Sequence, residues 1–157
     1  MKKIISLLLV MVFVLVPFSS FAAGINSTPV IILKCDDLKS NDMDAINNFE
    51  SLFQLLQEEG VTASFGVVGN SVQGNQDVFW KNVKNYIANG IEIWHHGWLH
   101  RKNAEGVQEY NGMLTYDEMK ENFKKTLDLV EKKADGYKIT TFGAPYNAVN
   151  EEFMQML

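Results

Sequence analysis

All three histidines of the chain fall in one segment, Glu92-Ile93-Trp94-His95-His96-Gly97-Trp98-Leu99-His100. An acidic pair, Asp36-Asp37, ends an apolar run about sixty residues upstream. Two imidazoles plus a carboxylate make a mixed nitrogen and oxygen donor set, which suits a catalytic zinc with an open coordination position. His96 and His100 are four residues apart, and one helical turn at that spacing brings both rings to the same side. One acid of the pair could bind the ion while the other takes a proton from water that the ion has acidified. A dication would also ease the repulsion between two neighbouring carboxylates. Taken separately these signals are modest. Asp-Asp after a strand is more often a solvated turn or helix cap, and a His pair at random is more often a surface feature. Their order and residue types together point to a metal site. An alternative ion for two histidines and one carboxylate is Fe(II), but the His-x-Asp/Glu spacing usual for that chemistry is absent.

Strand alternation sends adjacent side chains to opposite faces. Asp36 and Asp37 can therefore share the site only if the strand has ended there. By the same rule His95 points away from His96, unless it serves as a supporting donor or substitute ligand. Trp94 and Trp98 flank the site, either as core residues or as a platform for a sugar face.

The elements that must position these residues follow a β-α rhythm. Val30 to Lys34 reads as a buried strand. Asn41 to Glu59 reads as a helix, with Ile46, Phe49, Phe53 and Leu56 on one face and Gly60 as its stop. Val61 to Val68 is a second strand, Asp77 to Asn89 a second helix and Ile91 to Trp94 a third strand. A loop is expected from Gly97 to Gly112. Thr115-Tyr116-Asp117-Glu118 is a capping box that opens a helix carrying Met119, Phe123, Leu127 and Val130. Tyr137 to Phe142 reads as a fourth strand, and Asn150-Glu151-Glu152 as the start of a fourth helix. Such alternation predicts an α/β fold of parallel strands with helices outside. It also places Asp36-Asp37, His95-His96 and Gly143-Ala144-Pro145-Tyr146 on one rim, where the strands end and active residues gather. Four βα units would leave an edge strand exposed, which suggests an incomplete domain.

Residues 1–22 read as a secretory signal peptide: a cationic Met1-Lys2-Lys3, an apolar run to Pro17 and small residues before cleavage after Ala22. The mature domain is then 23–157, long enough for one core. Loss of Lys2 and Lys3 moves the formal charge from -5 to -7. This acidity argues against nucleic acid or anionic lipid as a partner. After cleavage nothing is apolar for long enough to span a bilayer. Cys35 is the sole cysteine, so no intrachain disulfide can form, and it reads as a small buried hydrophobe.

Leu33-Lys34-Cys35-Asp36-Asp37 resembles the first motif of the polysaccharide deacetylases, the NodB-homology carbohydrate esterases. Glu92 to His100 resembles their second motif, His-Ser/Thr-x-x-His after Glu-Ile-Gly, and Phe142-Gly143-Ala144-Pro145-Tyr146-Asn147 resembles the third, Arg-x-Pro-x-Gly. The resemblance implies a distorted (β/α)7 barrel, of which about four βα units are present. It implies an exported metal-dependent hydrolase that removes N- or O-linked acetyl groups from a polysaccharide or cell-wall glycan. It assigns Asp36 as general base, Asp37, His96 and His100 as ligands of one divalent ion, with zinc expected and cobalt and nickel open, and the backbone N–H of Tyr146 as an oxyanion donor. The chain departs from the motifs at Leu38 for glycine, Gly97 for serine or threonine, Gly143 for arginine and Asn147 for glycine. The arginine normally orients the catalytic aspartate. The Leu-x-x-His motif that supplies the general acid would lie beyond Leu157. A non-catalytic glycan-binding relative is the alternative. The glycan, the linkage and the oligomeric state are not legible.

Overall fold

The computed structural model describes residues 30–157 apart from Asn75. The expected signal segment, 1–22, lies outside the described residues. Three parallel strands, β1 (Lys34–Leu38), β2 (Ser64–Val67) and β3 (Glu92–His95), are hydrogen-bonded in the order β1-β2-β3. Their crossovers are helices, as the alternation predicts: α1 (Met43–Glu58) and α2 (Asp77–Ala88). Two more helices follow, α3 (Tyr116–Lys133) and α4 (Glu151–Met156). No helix among the described residues is long and apolar enough to cross a membrane.

Local chemistry fixes the helix ends. Asp42 caps α1 by accepting the N–H groups of Asp44 and Ala45, and Gly60 beyond its C-terminus adopts a left-handed φ of 64°. The capping box at Thr115 and Glu118 is present, with the Glu118 carboxylate accepting the Thr115 N–H at 2.8 Å. Those hydrogen bonds from Thr115 hold Glu118 below the usual carboxylate range. The buried face of α1 is the expected Ile46, Phe49, Phe53 and Leu56. Together with Phe79, Val83 and Tyr86 of α2 it covers the sheet. Phe65 of β2 is fully buried and meets Phe49 and Tyr86 edge-on, at 4.9 and 5.4 Å between ring centroids. Side chains of this size each contribute about 1.5–3 kcal/mol when buried. A second cluster joins Tyr110, Met119 and Phe153, with Phe123 and Phe142 against it.

Two strand expectations are corrected. The first strand runs Lys34–Leu38, not Val30 to Lys34, and Val30, Ile31 and Ile32 are exposed. Its partner β2 begins at Ser64, opposite Lys34, so among the described residues no strand lies beside the apolar run ahead of Lys34. The second correction is at Tyr137 to Phe142, where only a single parallel bridge, His95 with Phe142, forms. Here the Tyr137 hydroxyl accepts the Ile93 N–H at 3.1 Å and donates to the Ile93 carbonyl at 3.2 Å. A phenol thereby occupies the backbone groups of β3 that a fourth ladder would need. Pairing resumes at the end, with His95 N–H to Thr141 O and Gly143 N–H to His95 O, both 3.0 Å. This seats Gly143 beside the C-terminal end of β3. The expected loop 97–112 holds a bridge between Lys102 and Gln108 and the start of a wide turn, Glu109–Met113.

Candidate metal centre

The acidic pair lies inside β1 rather than after it. The register between β1 and β2 shifts between Cys35 and Leu38, and Asp37 has a left-handed φ of 70°. This bulge, not the end of the strand, lets adjacent carboxylates reach the same site. Asp36 Oδ2 lies 3.7 Å from His96 Nε2, while Asp37 Oδ1 lies 4.0 Å from that nitrogen and 3.2 Å from His100 Nε2.

The histidines meet by a different route from the one their spacing suggests. His95 ends β3, Gly97 has φ 80° and His100 has φ 49°, so the segment is a turn and not a helix. Buried Glu109 holds the turn. Its Oε1 accepts the N–H groups of Trp98 and Leu99 at 2.9 and 3.0 Å, and its Oε2 accepts that of His100 at 2.8 Å. Gly97 is fixed by the same packing. A Cβ there would lie 2.5 Å from Pro145 Cγ and 2.9 Å from Glu109 Oε2. The serine or threonine of the second motif therefore has no room in this chain. The rings of His96 and His100 end 4.8 Å apart.

The chemistry of this set fits a divalent ion. The Nδ1 of His96 is 2.8 Å from the Gly143 carbonyl, which can only accept, so Nδ1 carries the proton and Nε2 keeps its lone pair. Burial pushes His96 below the usual histidine range, favouring that neutral form. Asp37 Oδ1 is shielded from solvent and makes no well-directed hydrogen bond, although Lys39 Nζ stands 3.1 Å away. One ligand atom each from Asp37, His96 and His100 lie within 4.8 Å of one another. Asp37, His96 and His100 are thus the residues that would hold one ion.

Tyr146 is also brought to the site. Its ring is 4.8 Å from that of His100, its hydroxyl donates to the His100 carbonyl at 3.2 Å, and its own φ is 58°. His95 faces away, as expected. It stacks on Phe123 at 4.4 Å, and burial pushes its pKa down to about 3. Trp94 and Trp98 are both buried, and Trp98 also lines a surface pocket with Gln73, Lys125 and Leu129. Cys35 is half-buried, packed against the main cluster, and burial raises its thiol pKa, so it is no ready nucleophile. Nothing in the run Gln108-Glu109-Tyr110-Asn111 marks Glu109 as an acid that will be buried. Lys34, whose Nζ is 2.6 Å from Asp36 Oδ1, left a clue: a lone cation at the end of an apolar run.

Comparison with known proteins identifies the fold and the family. The chain resembles the Xyl-CE4 domain of a multidomain xylanase from the hindgut metagenome of Trinervitermes trinervoides, at 20% identity and a TM-score of 0.64, covering 80% of this chain and 53% of that one. A family 4 acetyl xylan esterase from Clostridium thermocellum, in complex with a cobalt ion, matches at 21% identity and 0.63, over 80% and 53% of the two chains. The deacetylase PplD of Streptococcus pyogenes, in complex with acetate, matches at 15% and 0.65, over 83% and 52%. The chain thus spans about half the length of these solved structures, whose fold it shares in part as an incomplete barrel. No curated protein matches it in sequence. The polysaccharide deacetylase family model matches residues 24–157, nearly the whole chain, and the protein belongs to that family.

Proposed function

We propose that the protein is an exported, metal-dependent hydrolase that removes N- or O-linked acetyl groups from a polysaccharide or cell-wall glycan. The observation that carries this reading is the convergence of Asp37, His96 and His100 within 4.8 Å, with Asp36 beside them. Those three would hold one divalent ion, and two imidazoles with one carboxylate suit zinc. When bound, the ion supplies Lewis-acid chemistry, polarising a carbonyl oxygen and acidifying water. Asp36 takes the proton of the attacking water through Oδ2, the oxygen that Lys34 leaves free. The N–H of Tyr146 stabilises the oxyanion of the tetrahedral intermediate, where a donor aimed at developing charge lowers the barrier. Export rests on residues 1–22, with cleavage after Ala22, and delivers the domain 23–157 to the periplasm or medium. The family match begins at residue 24, after that segment.

A second reading is favoured by one observation. Gly143 stands where the third motif has arginine, and a Cβ there would lie 2.5 Å from Trp94, so no side chain at that position orients Asp36. A non-catalytic glycan-binding relative would need no such residue. Acetate release from chitooligosaccharide, peptidoglycan and acetyl-xylan, measured with zinc and after chelation, decides between the two. Zinc-dependent acetate release is expected. Saccharide binding with no acetate from any of the three would establish the binding module instead.

A further inference from the structure

Lys34 stands where three features meet. Its Nζ is 2.6 Å from Asp36 Oδ1 and 4.2 Å from the centre of the Trp94 ring, over whose face it lies. Trp94 is 1% exposed and meets the His96 ring edge-on at 5.0 Å, so one indole supports both the ammonium and a metal-site histidine. Gly143 closes the far side. A Cβ at that position would sit 2.5 Å from Trp94 Cζ3 and 3.1 Å from Lys34 Cε. The space is therefore filled from β1, and only a residue without a side chain at 143 leaves room for it.

The geometry points to Lys34 as the residue that positions Asp36, holding one carboxylate oxygen so that the other is fixed toward the metal site. Resting on the reading of Asp36 as general base, this places the orienting cation on β1, while Gly143, where the resemblance calls for arginine, supplies the vacancy. The two oxygens divide their duties: Oδ1 goes to Lys34, and Oδ2 stays 3.7 Å from His96 Nε2. The pair is partly exposed, at 43% and 46% of side-chain area, and an ion pair of that exposure adds little to stability. Its effect is on direction, and a displacement of about 1 Å of a reacting group can cost on the order of 100-fold in rate.

The test uses the full chain as wild type, Lys34→Met and Lys34→Arg. In the metal-free proteins, three-bond couplings from backbone nitrogen and carbonyl carbon to Asp36 Cγ report the χ1 rotamer by NMR. A single rotamer is expected in wild type and Lys34→Arg, and averaging in Lys34→Met. The same proteins loaded with zinc are then assayed for acetate release from the substrates named above. Lys34→Met should lose about 10–100-fold in kcat with little change in KM, and Lys34→Arg should recover most of it. An Asp36 rotamer equally fixed, or equally averaged, in wild type and Lys34→Met overturns the inference. So does a loss seen only in KM, which would make Lys34 a substrate contact. Failure of the functional reading looks different: wild type itself releases no acetate, whatever its Asp36 rotamer.

Discussion

Replacing Glu109 by glutamine should loosen the turn that carries both metal-site histidines. In the native fold Oε1 accepts two backbone N–H groups and Oε2 accepts a third, all between 2.8 and 3.0 Å. A glutamine has one acceptor oxygen. With that oxygen on Trp98 and Leu99, its NH2 faces the His100 N–H donor to donor. One buried donor left unsatisfied costs about 1–3 kcal/mol, and the two remaining bonds fall from charge-assisted to neutral strength, roughly 1 kcal/mol each. The sum is about 3–5 kcal/mol. For a chain of this size each kcal/mol moves the midpoint by about 2–4 °C, so a fall of about 10 °C is expected on thermal unfolding of the metal-free protein. Zinc affinity should fall with it by about 10–100-fold, the range for residues that hold metal ligands in place. Hydrogen exchange at the His100 amide should rise in step. A Glu109→Gln protein that melts within about 2 °C of wild type and binds zinc equally well would refute the reasoning.

Three further outcomes are expected. Metal analysis of purified wild type should give one zinc per chain, and His96→Ala or His100→Ala should bind at least about 100-fold more weakly by calorimetry; equal metal content would remove the proposed centre. Gly97→Ala should destabilise by about 2–4 kcal/mol in urea, because its φ of 80° strains any side chain and the new Cβ would press on Pro145 and Glu109. The metal-free protein should also lose stability as pH falls from about 6.5 toward 3. Burial lowers folded His95 to about 3, so between these values the unfolded chain binds the extra proton and stability falls by about 1.4 kcal/mol per pH unit. His95→Phe should flatten that slope in urea titrations at pH 4.5 and 6.5; an unchanged slope would assign it to other groups.

Helices were the most legible part of the fold. The apolar stripe of α1 and the Thr115 capping box are local patterns, and both formed where their residues indicate. Strands depend on partners that no single segment reveals. Val30 to Lys34 has strand composition but lies ahead of β2, and Tyr137 to Phe142 lost its ladder to a phenol in its own first residue. At the candidate site the residue types were readable and the backbone was not. The pairing of His96 with His100 suggested a helical turn, yet a carboxylate nine residues beyond His100 sets the turn. Buried Glu109 reaches back nine to eleven residues, and Lys34 meets Asp36 two residues along from over the ring of Trp94; composition and periodicity encode neither arrangement.

The left-handed residue in β1 makes neighbours of two groups with different tasks. Asp36 and Asp37 are joined by one peptide unit, and that unit is planar and stiff. The left-handed φ of Asp37 therefore sets the direction in which both carboxylates leave the strand. A change in that one torsion would move a proposed ligand and a proposed proton acceptor together. A residue inserted or removed between Cys35 and Leu38 would trade the two acids' assignments rather than merely shift them.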